Sequence, residues 1–285
     1  MLRKDITDLP IIFNEPRGYS IKYWVFDGNE KLIKYNNSAS PDADVMEMLA
    51  MELLNCLNID TVKVSLGENK DKAMLEELGI DNGNCAIIDT FLTDRADIVI
   101  NLLYNKFSIV NTNDIQKNIS SCFYKMFHIF SGLMNIKADD LEKIKKNYVR
   151  MVFGDCLIDN EDRRLKNIEV VFNERTFAYH LAPSFDNALA FNSYNIGASE
   201  GYCYVGNQSF PVSELITYII NHYFNDVKDI IEKLNNLDDI DIVRILSEYL
   251  DELPKEKVVY IFSYLKEITE LVNNAVLNRN KKINI

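Results

Sequence analysis

The chain has 285 residues, 47% of them hydrophobic and 26% charged, and a formal net charge of −12. A chain of this size buries roughly three-quarters of its unfolded surface, enough for one large core or two lobes, so predominant disorder is excluded. The acidic balance argues against non-specific binding to nucleic acid, which needs clustered Lys and Arg, and no apolar run approaches the roughly 18 residues of a membrane span.

The basic start is followed only by a short apolar stretch at residues 9–13, broken by Pro10, so no signal peptide is expected. Residues 19–26 are rich in aromatic and β-branched side chains. Asp27-Gly28-Asn29-Glu30 supplies a tight turn, and residues 31–35 return, which predicts a hairpin. Ser40-Pro41-Asp42 then opens a helix whose Val45, Met46, Leu49, Leu53, Leu54 and Leu57 fall on one face. Residues 59–66 and 85–91 read as further strands, the second following the turn Asp81-Asn82-Gly83-Asn84. A small antiparallel sheet carrying one helix is the result.

From about residue 113 the pattern becomes helical. Residues 114–134 place Phe123, Met126, Phe127 and Phe130 on one side, with His128 expected to be packed among them; a second helix spans residues 138–155. A polar loop at 159–167 leads to two short strands, 168–172 and 176–181. Residues 183–210 read as irregular, and their Tyr194, Tyr202, Tyr204 and Phe210 suit core packing better than a peptide surface. Helices follow at 212–224, 227–234, 239–250 and 255–277, with a frayed end. The expected fold is therefore α+β: a small β-rich lobe over residues 1–95 and a larger helical lobe over 96–285, with the seam between 92 and 113. The five cysteines (Cys56, Cys85, Cys122, Cys156, Cys203) lie far apart without a C-x-x-C pair, so neither structural zinc nor a disulfide framework is expected. A cytoplasmic protein is expected, with export as an effector left open.

The polar loop holds Asp162-x-x-x-x-Asn167, the spacing at which a catalytic loop presents an Asp to an acceptor hydroxyl and an Asn to a magnesium ion. Nineteen residues further on, Asp186 follows a bulky Phe185, in position to be a second metal ligand. Upstream, Lys34 ends the strand Leu32-Ile33-Lys34, and Glu47 lies thirteen residues on, in the first turns of the helix. Such a pair suits a phosphate-binding lysine and the carboxylate that positions it. Each residue has a bland alternative: a snorkelling surface lysine, the acidic half of a capping box with Asp44, a turn cap at Asp186, a solvated turn at 162–167. All five in this order make coincidence the weaker account. His128, His180 and His222 are too scattered to suggest a metal site, and Cys156 has no context for a nucleophile.

Two segments carry a resemblance. Asp155-x-Leu-Ile-x-Asn160-x-Asp162-Arg163-Arg164-x-x-Asn167, followed by Leu181-Ala182-Pro183-x-Phe185-Asp186-Asn187, resembles the HipA-like serine/threonine kinases. That family's loop usually reads N-x-D-R-H-x-x-N and its later segment L-x-P-x-(Y/F)-D. Gly18-Tyr19-Ser20-Ile21-Lys22 is similar to its phosphate loop, and the likeness runs from about Gly18 to Phe191. It departs at Arg164, where the family has His, and in having one glycine in the phosphate loop. The chain looks like the compact CtkA-like members, without the extra N-terminal subdomain of longer toxin kinases.

The resemblance implies a protein-kinase-like two-lobe fold that uses ATP and Mg²⁺. Asp162 would be the catalytic base, Asn167 and Asp186 the magnesium ligands, and Lys34, held by Glu47, would bind the α- and β-phosphates. Gly18, Ser20 and Lys22 would cover the triphosphate, and Ser20 is the candidate for autophosphorylation. Asp89 to Phe91 are expected to form the adenine hinge, because that strand leads into the seam. The implied partner is a protein substrate, with no direct nucleic-acid or membrane contact. Two other readings stay open: a small-molecule phosphotransferase of kinase-like fold, and a binding module in which that fold has decayed.

Overall fold

A computed structural model describes residues 2–14, 21–102, 107, 112–191, 197–198 and 200–283. The β-rich lobe is built on β1 (Lys4–Asp5), β2 (Ile11–Asn14), β3 (Lys22–Phe26), β4 (Glu30–Tyr35), β5 (Val64–Glu68) and β6 (Asn84–Asp89). They form one six-stranded sheet in the order β1-β5-β6-β4-β3-β2. Only the β1–β5 pair is parallel. The expected hairpin is β3–β4, with Trp24 opposite Leu32 and Lys22 opposite Lys34. Gly28 takes a φ of 76° in its turn, which glycine adopts at no steric cost.

Strand periodicity decides what faces the site. Side chains alternate across the sheet, so Tyr23, Val25, Ile33, Tyr35, Cys85 and Ile87 share one buried face. Helix α2 (Lys72–Leu78) covers that face with Leu75, Met74 and Leu78. Leu32, Ala86 and Ile88 point the other way, where they pack with Met51 of α1 (Ala43–Cys56), and with Val62, Phe91 and Phe185. Lys34 follows Leu32 by two residues on the same strand and so shares its face. The six apolar positions expected on one face, Val45, Met46, Leu49, Leu53 and Leu54 of α1 and Leu57 at its C-cap, are all buried.

The helical lobe contains α3 (Ile115–Ser131), α4 (Ala138–Leu157), α5 (Val212–Asn236), α6 (Asp239–Ser247) and α7 (Lys255–Ile283). Its β7 (Asp97–Asn101), β8 (Glu169–Asn173) and β9 (Ala178–Leu181) form an antiparallel sheet in that order, and β10 (Tyr202–Val205) pairs with β11 (Gln208–Pro211). Asp114 caps α3 by accepting from the amides of Gln116 and Lys117. Ile119, Cys122, Phe123, Met126 and Phe130 form the buried face of that helix. Arg150 of α4 clamps α5 by donating to Asp229 at 2.6 and 2.9 Å, and holds the loop after α1 through the carbonyl of Asn58.

Several expectations need correction. His128 is exposed rather than packed, because it lies two residues from both Met126 and Phe130 and faces away from their side of the helix. The helices expected at 212–224 and 227–234 run end to end as α5, and the break between them falls at Tyr223, which leaves helical geometry (φ −130°, ψ 27°). The strand expected at 59–66 begins only at Val64, and the segment read as irregular contains the β10–β11 hairpin, turned at Gly206 with φ 64°. β1, β2, α2 and β7 were not foreseen. All five cysteines are free thiols, and no helix among the described residues is long and apolar enough to cross a membrane.

The turn before β6 permits no side chain at Gly83, since a Cβ there would stand 1.8 Å from the backbone oxygen of Asn69. Backbone cannot swing aside as a side-chain end can. Gly83→Ala is therefore expected to destabilise the fold by about 2 kcal/mol or more, read as a lower denaturation midpoint in urea. An unchanged midpoint would show that the two turns separate freely.

Candidate active site

A cleft of about 470 Å³ opens between the lobes. Lys22, Trp24, Leu32 and Lys34 line it from the β-rich lobe, and Asn167, Phe185 and Asp186 from the helical lobe. On its wall Phe91 stacks on Phe185, ring centroids 5.8 Å apart, beside Val62 and Ile88. One end of the cleft is thus apolar and the other charged.

The charged end begins with Lys34. Its Nζ lies 3.0 Å from Glu47 Oε2 and also donates to Asp186 Oδ1. Burial alone disfavours the ammonium, but the charges of Asp186 and Glu47 outweigh it and raise the Lys34 pKa above the ordinary lysine value. For Asp186, burial is likewise opposed by Lys34 first and Lys22 second, which hold the carboxyl well below the usual carboxylate range. Glu47 is fully buried and does not line the cleft; it stands behind Lys34, and its Oε1 accepts from the backbone amide of Asn187 at 2.7 Å. Its second bond anchors α1 to the loop that carries Asp186.

That loop is held from both sides. The amide of Ser184 donates to the Asp60 carbonyl at 2.9 Å, and the Val62 amide donates to the Ser184 carbonyl at 3.1 Å. The chain then turns through Asp186 at φ 57°, a left-handed conformation that Asp tolerates better than most residues. The surface-lysine, capping-box and turn-cap alternatives do not describe these three residues, which form one ion cluster in which Lys34 and Glu47 are buried and Asp186 is partly exposed to the cleft.

The 159–167 loop is ordered by its own polar groups. Asn160 Oδ1 accepts from the Asp162 amide at 3.1 Å, and residues Leu165–Asn167 close a short 3₁₀ turn. Asn167 Nδ2 donates to the Asp162 carbonyl at 2.7 Å and to its Oδ2 at 3.2 Å. Asp162 itself is not on the cleft wall, but both groups that bind its Oδ2, Asn167 and the Lys166 ammonium at 2.8 Å, are. Arg164, where the resembling family has His, donates to Tyr204 Oη at 2.9 Å and packs its guanidinium over that ring.

Of the hinge candidates, Asp89 and Phe91 both line the cleft. The Asp89 carboxylate accepts from Lys31 at 2.9 Å, and the amides of Asp89 and Thr90 donate to the carbonyls of Lys63 and Glu30. Any base contact in this segment therefore falls to its other backbone groups. Lys22 lines the cleft, whereas Gly18 and Ser20 lie outside the described residues, as does Tyr194.

The sequence places Arg163 in the loop motif but gives it no role of its own. It is fully buried and joins the two loops through a single nitrogen: Nη1 donates to the carbonyl of Asn167 at 3.2 Å and to that of Phe185 at 2.5 Å. Its counter-charge, Asp155 of α4, is raised above the ordinary carboxylate pKa by burial, which Arg163 only partly offsets. The available signal was a charged pair eight residues apart at a helix end.

Among the described residues no three His, Cys, Asp or Glu side chains converge as a metal cluster. Among the oxygen donors that line the cleft are the Asp186 carboxylate and the Asn167 amide. Because the Asn167 NH₂ is directed at Asp162, its Oδ1 is the end turned away. Hard oxygen donors of this kind suit Mg²⁺, which keeps several waters and substrate phosphates and needs only one or two protein ligands.

Neither a protein-family model nor a curated protein matches the chain. Among solved structures it is similar to the proinflammatory kinase CtkA of Helicobacter pylori, with a TM-score of 0.70 at 14% identity over 98% of this chain and 99% of that one. It is also similar to a chain of the Shewanella oneidensis MR-1 toxin–antitoxin complex of HipA, HipB and operator DNA, with a TM-score of 0.53 at 10% identity over 93% and 67% of the two chains. At such identities the likeness shows the fold, an α+β two-lobe architecture of protein-kinase type.

Proposed function

We propose that the chain is a HipA-like serine/threonine protein kinase, transferring the γ-phosphoryl group of Mg-ATP to a Ser or Thr hydroxyl of a protein and to itself. The observation that carries this reading is the cleft's charged end. There a buried lysine is shared by two carboxylates, and one of these stands beside an Asp-x-x-x-x-Asn loop. The lobes divide at residues 95 and 96.

The apolar end, with Leu32, Val62, Ile88, Phe91 and Phe185, takes the adenine. Lys34 is held extended by Glu47 and binds the α- and β-phosphates, while Lys22 adds charge at the same end. Asn167 Oδ1 and the Asp186 carboxylate would hold magnesium, which would supply charge neutralisation at the phosphates. Asp162 orients the acceptor hydroxyl and takes its proton as the new O–P bond forms and the bond to ADP breaks. Positioning and charge neutralisation supply the rate enhancement.

The test is thermal melting with and without Mg-ATP, then transfer of labelled γ-phosphate. Saturation at about 100 times Kd adds roughly 2.7 kcal/mol of stability, so the melting temperature should rise. Label should pass to a generic basic protein and not to small alcohols, and mass spectrometry should find phosphate within residues 18–22. No shift at millimolar Mg-ATP would leave a decayed binding module; label on alcohols alone would make it a small-molecule phosphotransferase.

A further inference from the structure

Arg163 is the bulkiest of the fully enclosed side chains among the described residues. A guanidinium cannot shed its charge in a protein, so enclosing it requires acceptors for its donors. Asp155 supplies the counter-charge, accepting from Nε at 3.0 Å and from Nη2 at 3.1 Å. Every other bond runs to the two loops of the site. Nη1 serves the carbonyls of Asn167 and Phe185, and Nη2 donates to Ser184 Oγ at 2.8 Å and to Asn187 Oδ1. Asn187 is fixed again by Asn160 Nδ2, which donates to its Oδ1 at 2.6 Å.

We propose that Arg163 is a positioning residue for the metal: it sets the spacing between Asn167 and Asp186 and so the magnesium affinity of the nucleotide-loaded protein. This rests on the phosphotransfer reading of the site. Arg163 touches the side chain of neither ligand. It holds Asn167 by that residue's own carbonyl, and Asp186 by the residues on both sides of it. A planar fork with five donors reaches all of these acceptors at once. A lysine in its place keeps the charge beside Asp155 but cannot serve both loops.

The experiment melts wild type, Arg163→Lys and Ser184→Ala with a non-hydrolysable ATP analogue across a Mg²⁺ series, and measures phosphate transfer in parallel. Disturbing the outer partners of a metal site costs about 10- to 100-fold in affinity, so Arg163→Lys should raise the half-saturating Mg²⁺ concentration by that factor. Ser184→Ala removes one acceptor and little volume, and should raise it roughly 2- to 10-fold. It decides alone if Arg163→Lys does not fold. An arginine that only braced the fold would lower the melting temperature equally at every Mg²⁺ concentration, and an unmoved half-saturation point overturns the proposal. A wild type that analogue and Mg²⁺ fail to stabilise sinks the phosphotransfer reading, and this inference with it. A normal wild-type response matched by both variants sinks the inference alone.

Discussion

Asp162→Ala is expected to lower kcat by about 10²- to 10⁴-fold, the usual contribution of a positioned general base, with little change in stability or in ATP affinity. The two effects separate because of where Asp162 stands. Its carboxylate pairs with Lys166 at 2.8 Å and lies 3.9 Å from Arg164, whose side chains are 43% and 52% exposed. Pairs so close to water are worth under about 1 kcal/mol. Asn167 keeps its bond to the backbone oxygen of residue 162 whatever the side chain there. The loop should therefore hold its shape and still bind metal and nucleotide, but lack the group that takes the hydroxyl proton. Steady-state kinetics, nucleotide titration and urea unfolding measured on one preparation check all three. Turnover within tenfold of wild type would remove Asp162 from the chemistry.

How much of this was legible in the sequence follows from the range over which each signal acts. Part of the polar loop is local: Asn160, Asp162, Lys166 and Asn167 are linked by hydrogen bonds within the segment, so their spacing carries that much of the geometry. The Lys34–Glu47 pair was also readable, since a strand end and the next helix fix both partners. That Lys34 also meets Asp186, 152 residues later, was legible only through the order of the motifs. Short elements escaped for a different reason. Helix α2 has an Asp71 cap and a left-handed Gly79 at its end, but its seven residues fall below a length at which periodicity speaks. The run Asp97–Asn101 lay in the assumed seam, and its pairing with β8 is a tertiary fact. Arg163 escaped because Arg is mostly exposed in proteins, and nothing near it in sequence announces five acceptor residues from three elements.

Lys34→Met should have the largest effect on stability and also abolish ATP binding. Glu47 is fully buried and Asp186 is near it, and Lys34 is the cation that both share. Removing it leaves two carboxylates side by side, an uncompensated buried charge of the kind that costs about 3–5 kcal/mol. The pH dependence identifies the cause. In the wild type, the depressed pKa of Asp186 gives stability that is present above the unfolded value of about 3.9 and lost as pH falls towards the folded value. The raised pKa of Lys34 gives stability that is complete below about 10.4 and lost as pH rises through its folded value. These two groups therefore contribute a flat profile between about pH 5 and 9. In the variant, one carboxyl of the pair must bind a proton on folding, so its deficit should shrink as pH drops from 7 to 5. Adding Glu47→Gln should restore much of the stability and none of the activity. A single variant as stable as wild type at pH 7, or a deficit independent of pH, would mean that Lys34 does not hold the two carboxylates together.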